Sequence, residues 1–247
     1  MHLTPARRFT TLVATAGVII PLYAAIGVHT ARAGGPLYTV PTLIDHVVPF
    51  DPAWVLVYAL VFLQAFAPIA VVTDARALHR TVAAYGAMYL LATPIWLLYP
   101  VTVPRPPVPI VDLWTYGLGL VRLVDPPTNC MPSMHVGLAA LASRIVWRHD
   151  RPAGVALGIS AALIWWSTMA IHQHWATDGV VATALAFLAD RLCFGLFPLP
   201  ASALTPMPRV WHLAWLALYV VGVLVLMSGW WFGWVPVDKL PPNTNAW

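Results

Sequence analysis

Sorted into apolar and polar positions, the chain alternates long apolar runs with short polar breaks. Seven runs reach or approach the roughly 20 residues that a helix needs to cross the hydrocarbon core of a bilayer. They are Phe9–Val28, Ala53–Val72, Thr81–Pro100, Pro132–Trp147, Pro152–Ile171, Trp175–Phe194 and Val210–Trp234. The fourth is short, so its start is placed at the membrane interface. The seventh is long and rich in Gly and Trp, and Trp230, Trp231 and Trp234 suit an aromatic belt at its end. The pattern predicts an all-α fold, a polytopic transmembrane helical bundle. No internal repeat or low-complexity tract interrupts it.

The polar breaks are uneven. Residues 29–52 form a loop with Gly34-Gly35-Pro36 and Pro49-Phe50-Asp51-Pro52. Residues 101–131 are dense in proline and hold Trp114, Tyr116 and Arg122. That stretch is too polar to span and too apolar to float free, so it reads as an interfacial lid. Residues 198–209, with Pro198, Pro200, Pro206 and Pro208, make a linker before the last run.

Composition agrees with a lipid solvent. Hydrophobic residues make up 60% and charged residues 9% of 247, where a soluble domain carries about a quarter charged residues. The mean hydropathy is +0.76, and the nine acidic residues are all Asp. The net charge of +4 comes almost wholly from arginines at the edges of apolar runs. That is a topology signal rather than a nucleic-acid footprint. With the N-terminus inside, nine of the thirteen cations (Arg7, Arg8, Arg76, Arg80, Arg144, Arg148, Arg151, Arg191, Arg209) fall on the cytoplasmic side. Arg32, Arg105, Arg122 and Lys239 fall outside. Seven spans then put the C-terminus outside. Arg7-Arg8, an apolar run and Ala31-Arg32-Ala33 also resemble a signal peptide, but the run is long for one and a retained helix is the reading taken. Cys130 and Cys193 come out on opposite sides, which argues against a disulfide between them.

Three polar clusters stand at run ends, and this topology brings all three to the outer face. Pro104-Arg105-Pro106 follows the third run. Asn129-Cys130-Met131-Pro132-Ser133-Met134-His135 opens the fourth. Ser167-Thr168 and His172-Gln173-His174-Trp175-Ala176-Thr177-Asp178 join the fifth to the sixth. Pro132 suits a first helical turn, where Ser133 and the following amides face the positive end of the helix dipole and make an anion site. His174 and Asp178 are four apart and share a helix face, so the carboxylate can hold one ring nitrogen and free the other as nucleophile. Arg105 offers a planar fork for two phosphate oxygens. Assembled, His174 attacks phosphorus, Asp178 orients it, His135 protonates the leaving oxygen, and Arg105 with the Ser133 amides steadies the transition state. No metal or cofactor is expected. His172-x-His174 suggests a metal pair, but residues two apart on a helix face different ways. Asp45, Asp51 and Asp125 read as solvated or turn-forming.

The clusters resemble the three motifs of the type 2 phosphatidic acid phosphatase superfamily: Lys-x6-Arg-Pro, Pro-Ser-Gly-His and Ser-Arg-x5-His-x3-Asp. The likeness runs over roughly residues 40–190. Leu98 stands at the motif lysine, Met134 at the glycine and Thr168 at the arginine. The forms Asn129-Cys130-x-Pro132-Ser133-x-His135 and Ser167-Thr168-x5-His174-x3-Asp178 are similar to the branch containing inositol phosphorylceramide synthases, which move a phosphodiester head group between lipids. A diester carries one negative charge, and fewer cations suit it.

The resemblance implies a six-helix phosphatase-type core, metal-independent chemistry and a phosphohistidine intermediate. It implies catalytic residues His174, His135 and Asp178, with Arg105, Ser133, Asn129 and Ser167 binding substrate. The expected organisation is a membrane-embedded catalytic core over 1–197, a cytoplasmic linker over 198–209, and a seventh helix with a tail over 210–247. The expected activity is a lipid phosphate phosphatase at the extracytoplasmic face of the cytoplasmic membrane. Its partners are the bilayer and a lipid phosphate, pyrophosphate or phosphodiester, with no nucleic acid. The alternative is a lipid phosphotransferase, and from another class a non-enzymatic carrier or scaffold.

Overall fold

A computed structural model describes residues 3–125, 127–196, 199–200, 203–204, 206, 208–236 and 240, without the side chains of 209 and 212. Lys239, Pro198 and the tail 241–247 lie outside the described residues. The regular structure among the described residues is helical, apart from one isolated parallel bridge between Tyr38 and Val101.

The helices are α1 (Pro5–Ala33), α2 (Leu43–Val47), α3 (Val55–Gln64, entered through a 3-10 turn at Pro52–Trp54), α4 (Pro68–Val71), α5 (Ala75–Leu98), α6 (Leu113–Val124), α7 (Met134–His149), α8 (Arg151–Ala170), α9 (Ala176–Asp190) and α10 (Arg209–Phe232). Their starts follow from side chains that accept first-turn amides which would otherwise go unpaired. Thr4 takes Arg7 N, Asp74 takes Arg76 N, Asp112 takes Thr115 N, Ser133 takes Val136 N and Asp150 takes Ala153 N. The C-caps of α1 and α10 are Gly34 (φ 64°) and Gly233 (φ 62°), in the left-handed region that a residue with a Cβ disfavours.

Among the described residues, five segments are long and apolar enough to cross a membrane: Pro5–Ala33, Pro52–Val71, Ala75–Leu98, Arg151–Ala170 and Leu213–Phe232. Two expected runs appear as shorter helices, α7 with 16 residues and α9 with 15. The 101–131 stretch holds a helix the apolar pattern did not separate, α6, closed at its start by Asp112 and Thr115.

Helix α7 is central, packed against α3, α4, α5, α8 and α9. Its buried positions include Gly137, Ala139, Ala140, Ala142 and Ser143, small residues that let neighbouring backbones close in. A Cβ on Gly137 would lie 2.1 Å from Met88 Cε of α5. The outside is apolar, unlike that of a water-soluble domain, and the mostly apolar inside also holds a set of buried polar groups. On α1 and α10, Val18, Ile20, Val210 and Leu213 are exposed, while Gln64, Arg105, Asn129, Gln173 and Asp178 are buried.

The chain direction of the packed helices collects the chemistry. Trp96 at the end of α5 reaches the Pro132 carbonyl, Thr128 and Asn129 bond to α1 at Gly27 and Tyr23, and Asp51 N donates to the Ala170 carbonyl. These contacts bring the start of α7, the end of α8 and the start of α9 to one end of the bundle. The arginines of α7 and α8 lie at the other, where Arg144 and Arg148 both pair with Asp190.

Candidate active site

The three clusters predicted from sequence meet at that first end. The turn between α8 and α9 is closed by Gln173 N and His174 N, both donating to the Thr168 carbonyl, which holds His174 just before α9. Ser133 N donates to the Asp178 carbonyl at 3.2 Å, pinning the start of α7 to the first turn of α9. His135, one turn into α7, then places Nδ1 3.2 Å from His174 Nε2.

The proton pattern follows from the bonds when both rings are neutral. The Cys130 carbonyl only accepts, so His174 Nδ1, 2.9 Å away, donates to it. His174 Nε2 is left as an acceptor, and His135 Nδ1 donates to it. His135 Nε2 is then the acceptor for the Tyr58 hydroxyl at 2.6 Å. A directed chain runs from Tyr58 through His135 and His174 to the Cys130 carbonyl, and it leaves the nucleophilic lone pair on His174 Nε2.

Asp178 lies behind His174, with Oδ2 3.4 Å from Nδ1. The same oxygen accepts the Trp175 amide at 2.9 Å, so Asp178 both caps α9 and faces the ring with negative charge. The nearer partner of Nδ1 is the Cys130 carbonyl, which the sequence reading did not foresee. Burial, and then the Asp178 charge, pushes the Cys130 thiol well above its usual range, so the thiol stays protonated and is no rival nucleophile.

Arg105 is buried, with Nη1 donating to the Asp125 carbonyl at 2.6 Å and Nη2 3.9 Å from the Asp125 carboxylate. Asp125 is itself buried and accepts from the Tyr23 hydroxyl of α1 at 3.0 Å. This corrects the expectation of a solvated Asp125. Closure of 101–131 over the bundle brings the carboxylate inside, where Arg105 compensates its charge. Asp45 does more than form a turn: besides capping α2 through Thr42, it accepts the Ala176 amide at 2.7 Å and ties α2 to α9. Asp51 caps the 3-10 turn, as expected.

Beside His135 lies a cavity of about 250 Å³. Its polar wall is Tyr23, Tyr58, Asp125 and His135, and the remainder is almost wholly apolar, running between α1, α3, α5 and α7 past Ala16, Ile19, Phe66 and Leu138.

The other predicted residues sit in supporting positions. Ser133 caps α7 with its hydroxyl. Asn129 donates to the Tyr23 carbonyl, and its Oδ1 has no partner among the described residues. Ser167 bonds back to the Ile164 carbonyl within α8, with no polar contact to the histidines. His172 packs on Phe50 with ring centres 4.9 Å apart, away from the chain of hydrogen bonds. Tyr58, Tyr23 and Asp125 were missed, since each enters from a distant stretch that carries no motif.

Ligand-type atoms do cluster, though not through His172. Those of Asp125, His135 and His174 lie within 4.8 Å of one another, as do those of Cys130, His174 and Asp178. Both groups share His174, so an ion held there would compete with its use as a nucleophile. No family model matches the chain, and no curated protein or solved structure does so.

Proposed function

We propose that this chain is an integral membrane lipid phosphate phosphatase that works through a phosphohistidine. In this reading the long helices, with α7 and α9, form a six-helix core spanning the cytoplasmic membrane, and α10 is an added seventh. The N-terminus is cytoplasmic by the arginine bias, and the histidines face the extracytoplasmic side. The observation that carries the proposal is the 3.2 Å approach of His135 Nδ1 to His174 Nε2 beside an apolar cavity.

The steps follow from the protons. His174 Nε2 attacks phosphorus, forming the N–P bond as the P–O bond to the lipid breaks. His135, protonated on both ring nitrogens once substrate is bound and with Nε2–H donating to the Tyr58 hydroxyl, passes its Nδ1 proton to the leaving oxygen and is left neutral. Asp178 opposes the positive charge that develops on the His174 ring, and Arg105 and the amides at the start of α7 hold the remaining oxygens. Water, deprotonated by His135, then attacks phosphorus and frees His174.

A second reading is a lipid phosphotransferase, in which a lipid alcohol takes the place of that water. It is favoured by Asp125, a buried carboxylate on the wall of the chain-sized apolar cavity. An acid there disfavours a dianionic monoester and suits a monoanionic diester.

The test is chemical quench with head-group-labelled lipid phosphates and diesters. The expected result is an acid-labile, base-stable phosphoenzyme that is absent in His174→Ala. A folded His174→Ala protein with full turnover would overturn the mechanism. Adding diacylglycerol separates the readings, because the transferase makes a new phospholipid and the phosphatase releases phosphate.

A further inference from the structure

Among the described residues, one buried cation in this region has no carboxylate of its own. Arg122, on the inward face of α6, is 3% exposed. Its Nη1 donates to the Pro106 carbonyl at 2.9 Å, while Nε and Nη2 have no partner among the described residues. Those two nitrogens make the side-on edge of the guanidinium, which can grip two oxygens of one oxyanion. Arg105 precedes the carbonyl that anchors Arg122, and its Nε is also unpartnered.

Neither nearby carboxylate among the described residues is available to Arg122. Asp125 is taken by Arg105 and Tyr23, and Asp45 by Thr42 and the Ala176 amide. Two buried guanidiniums therefore share one carboxylate, and three of their nitrogens lack acceptors. A buried charge is stable when paired and hydrogen-bonded, so among the described residues this arrangement lacks an anion.

We propose that Arg122 is a second oxyanion-binding residue, forming with Arg105 a cradle for a phosphate group of the substrate. It supplies from outside the motifs a cation of the kind lost where Leu98 and Thr168 stand. The field around it agrees. Burial, then the charge of Arg105, brings the Arg122 guanidinium down to about 10, and His172 is lowered by burial and then by Arg122. The place of the cradle in a reaction rests on the phosphoryl-transfer reading, whereas anion binding rests on the arginine pair alone.

The experiment measures binding of inorganic phosphate and of dihexanoyl phosphatidic acid to the full chain in nanodiscs, by calorimetry. His174→Ala is the background, so that no turnover intervenes. Arg122→Gln should weaken at least one of the two ligands tenfold or more, and Arg122→Lys, which keeps the charge and loses the fork, should fall between. Weakening of both ligands marks a site for the phosphate group itself, and weakening of the lipid alone a site formed with the lipid in place. Arg7→Gln, at the other end of the bundle, should change neither. Equal binding of both ligands by wild type and folded Arg122→Gln overturns the proposal and leaves the phosphohistidine untouched. Binding that depends on Arg122 without any phosphoenzyme upholds the cradle and defeats the phosphatase reading.

Discussion

The Tyr58 hydroxyl stands 2.6 Å from His135 Nε2, and this contact sets which nitrogen of His135 faces His174 with a proton. Tyr58→Phe removes the donor and leaves a part-buried acceptor unpaired, at up to about 1–3 kcal/mol. His135 can then turn or change tautomer and lose its Nδ1–H. Turnover should fall roughly 10–100-fold, with the pH–rate profile displaced, because the acid and base form of His135 is what the hydroxyl holds. A Tyr58→Phe enzyme with unchanged turnover and an unchanged profile would remove Tyr58 from the proton chain.

Much of this bundle is legible in the sequence because apolar length is a coarse signal. The run Pro152–Ile171 matches α8 within a residue at each end, and Ala53–Val72 matches the stretch Pro52–Val71 equally well. The meeting of Arg105, Ser133, His135, His174 and Asp178 at one end follows from counting helix directions. Helix α6 was hidden because two glycines and the flanking prolines mask its period. Asp112 followed three residues later by Thr115 was the available start signal. Tyr58 and Asp125 carried no such signal. Their partners lie 77 and 102 residues away, and only the three-dimensional packing of α1, α3 and α7 brings them in.

Asp178 is a test of how the nucleophile is held. The Cys130 carbonyl, at 2.9 Å, already fixes the Nδ1–H tautomer, so the carboxylate at 3.4 Å contributes mainly charge. Asp178→Asn keeps an oxygen to cap Trp175 N and loses the charge. Turnover should drop about 10–100-fold, less than the ~10⁴ seen where a carboxylate alone sets the tautomer. Steady-state rates of folded Asp178→Asn and His174→Ala decide this. Equal inactivity of the two would assign the tautomer to Asp178 after all.

The apolar cavity predicts a chain-length effect. Ala16 of α1 lines it, away from the histidines. Ala16→Phe fills part of the slot and should raise KM for long-chain lipid phosphates about tenfold, equivalent to ~1.4 kcal/mol. A dihexanoyl substrate, too short to reach that depth, should be unaffected. If the two substrates respond alike, the cavity does not hold the lipid chain.

Divalent transition metals should inhibit. His135 Nδ1 and His174 Nε2 are 3.2 Å apart, near the spacing of two nitrogens bound to one ion at about 2.0–2.1 Å. The Asp125 carboxylate lies close enough to complete a three-ligand set, all within 4.8 Å. An ion seated there occupies the lone pair of His174 Nε2 that phosphoryl transfer requires. Zn²⁺ should therefore abolish turnover, and a chelator should restore it. The visible absorption of bound Co²⁺ reads occupancy without reference to activity: it should disappear in His174→Ala and weaken in Asp125→Asn. Zn²⁺ inhibition that persists in full when Co²⁺ binds equally well to wild type and His174→Ala would place the ion elsewhere and separate the two histidines from it.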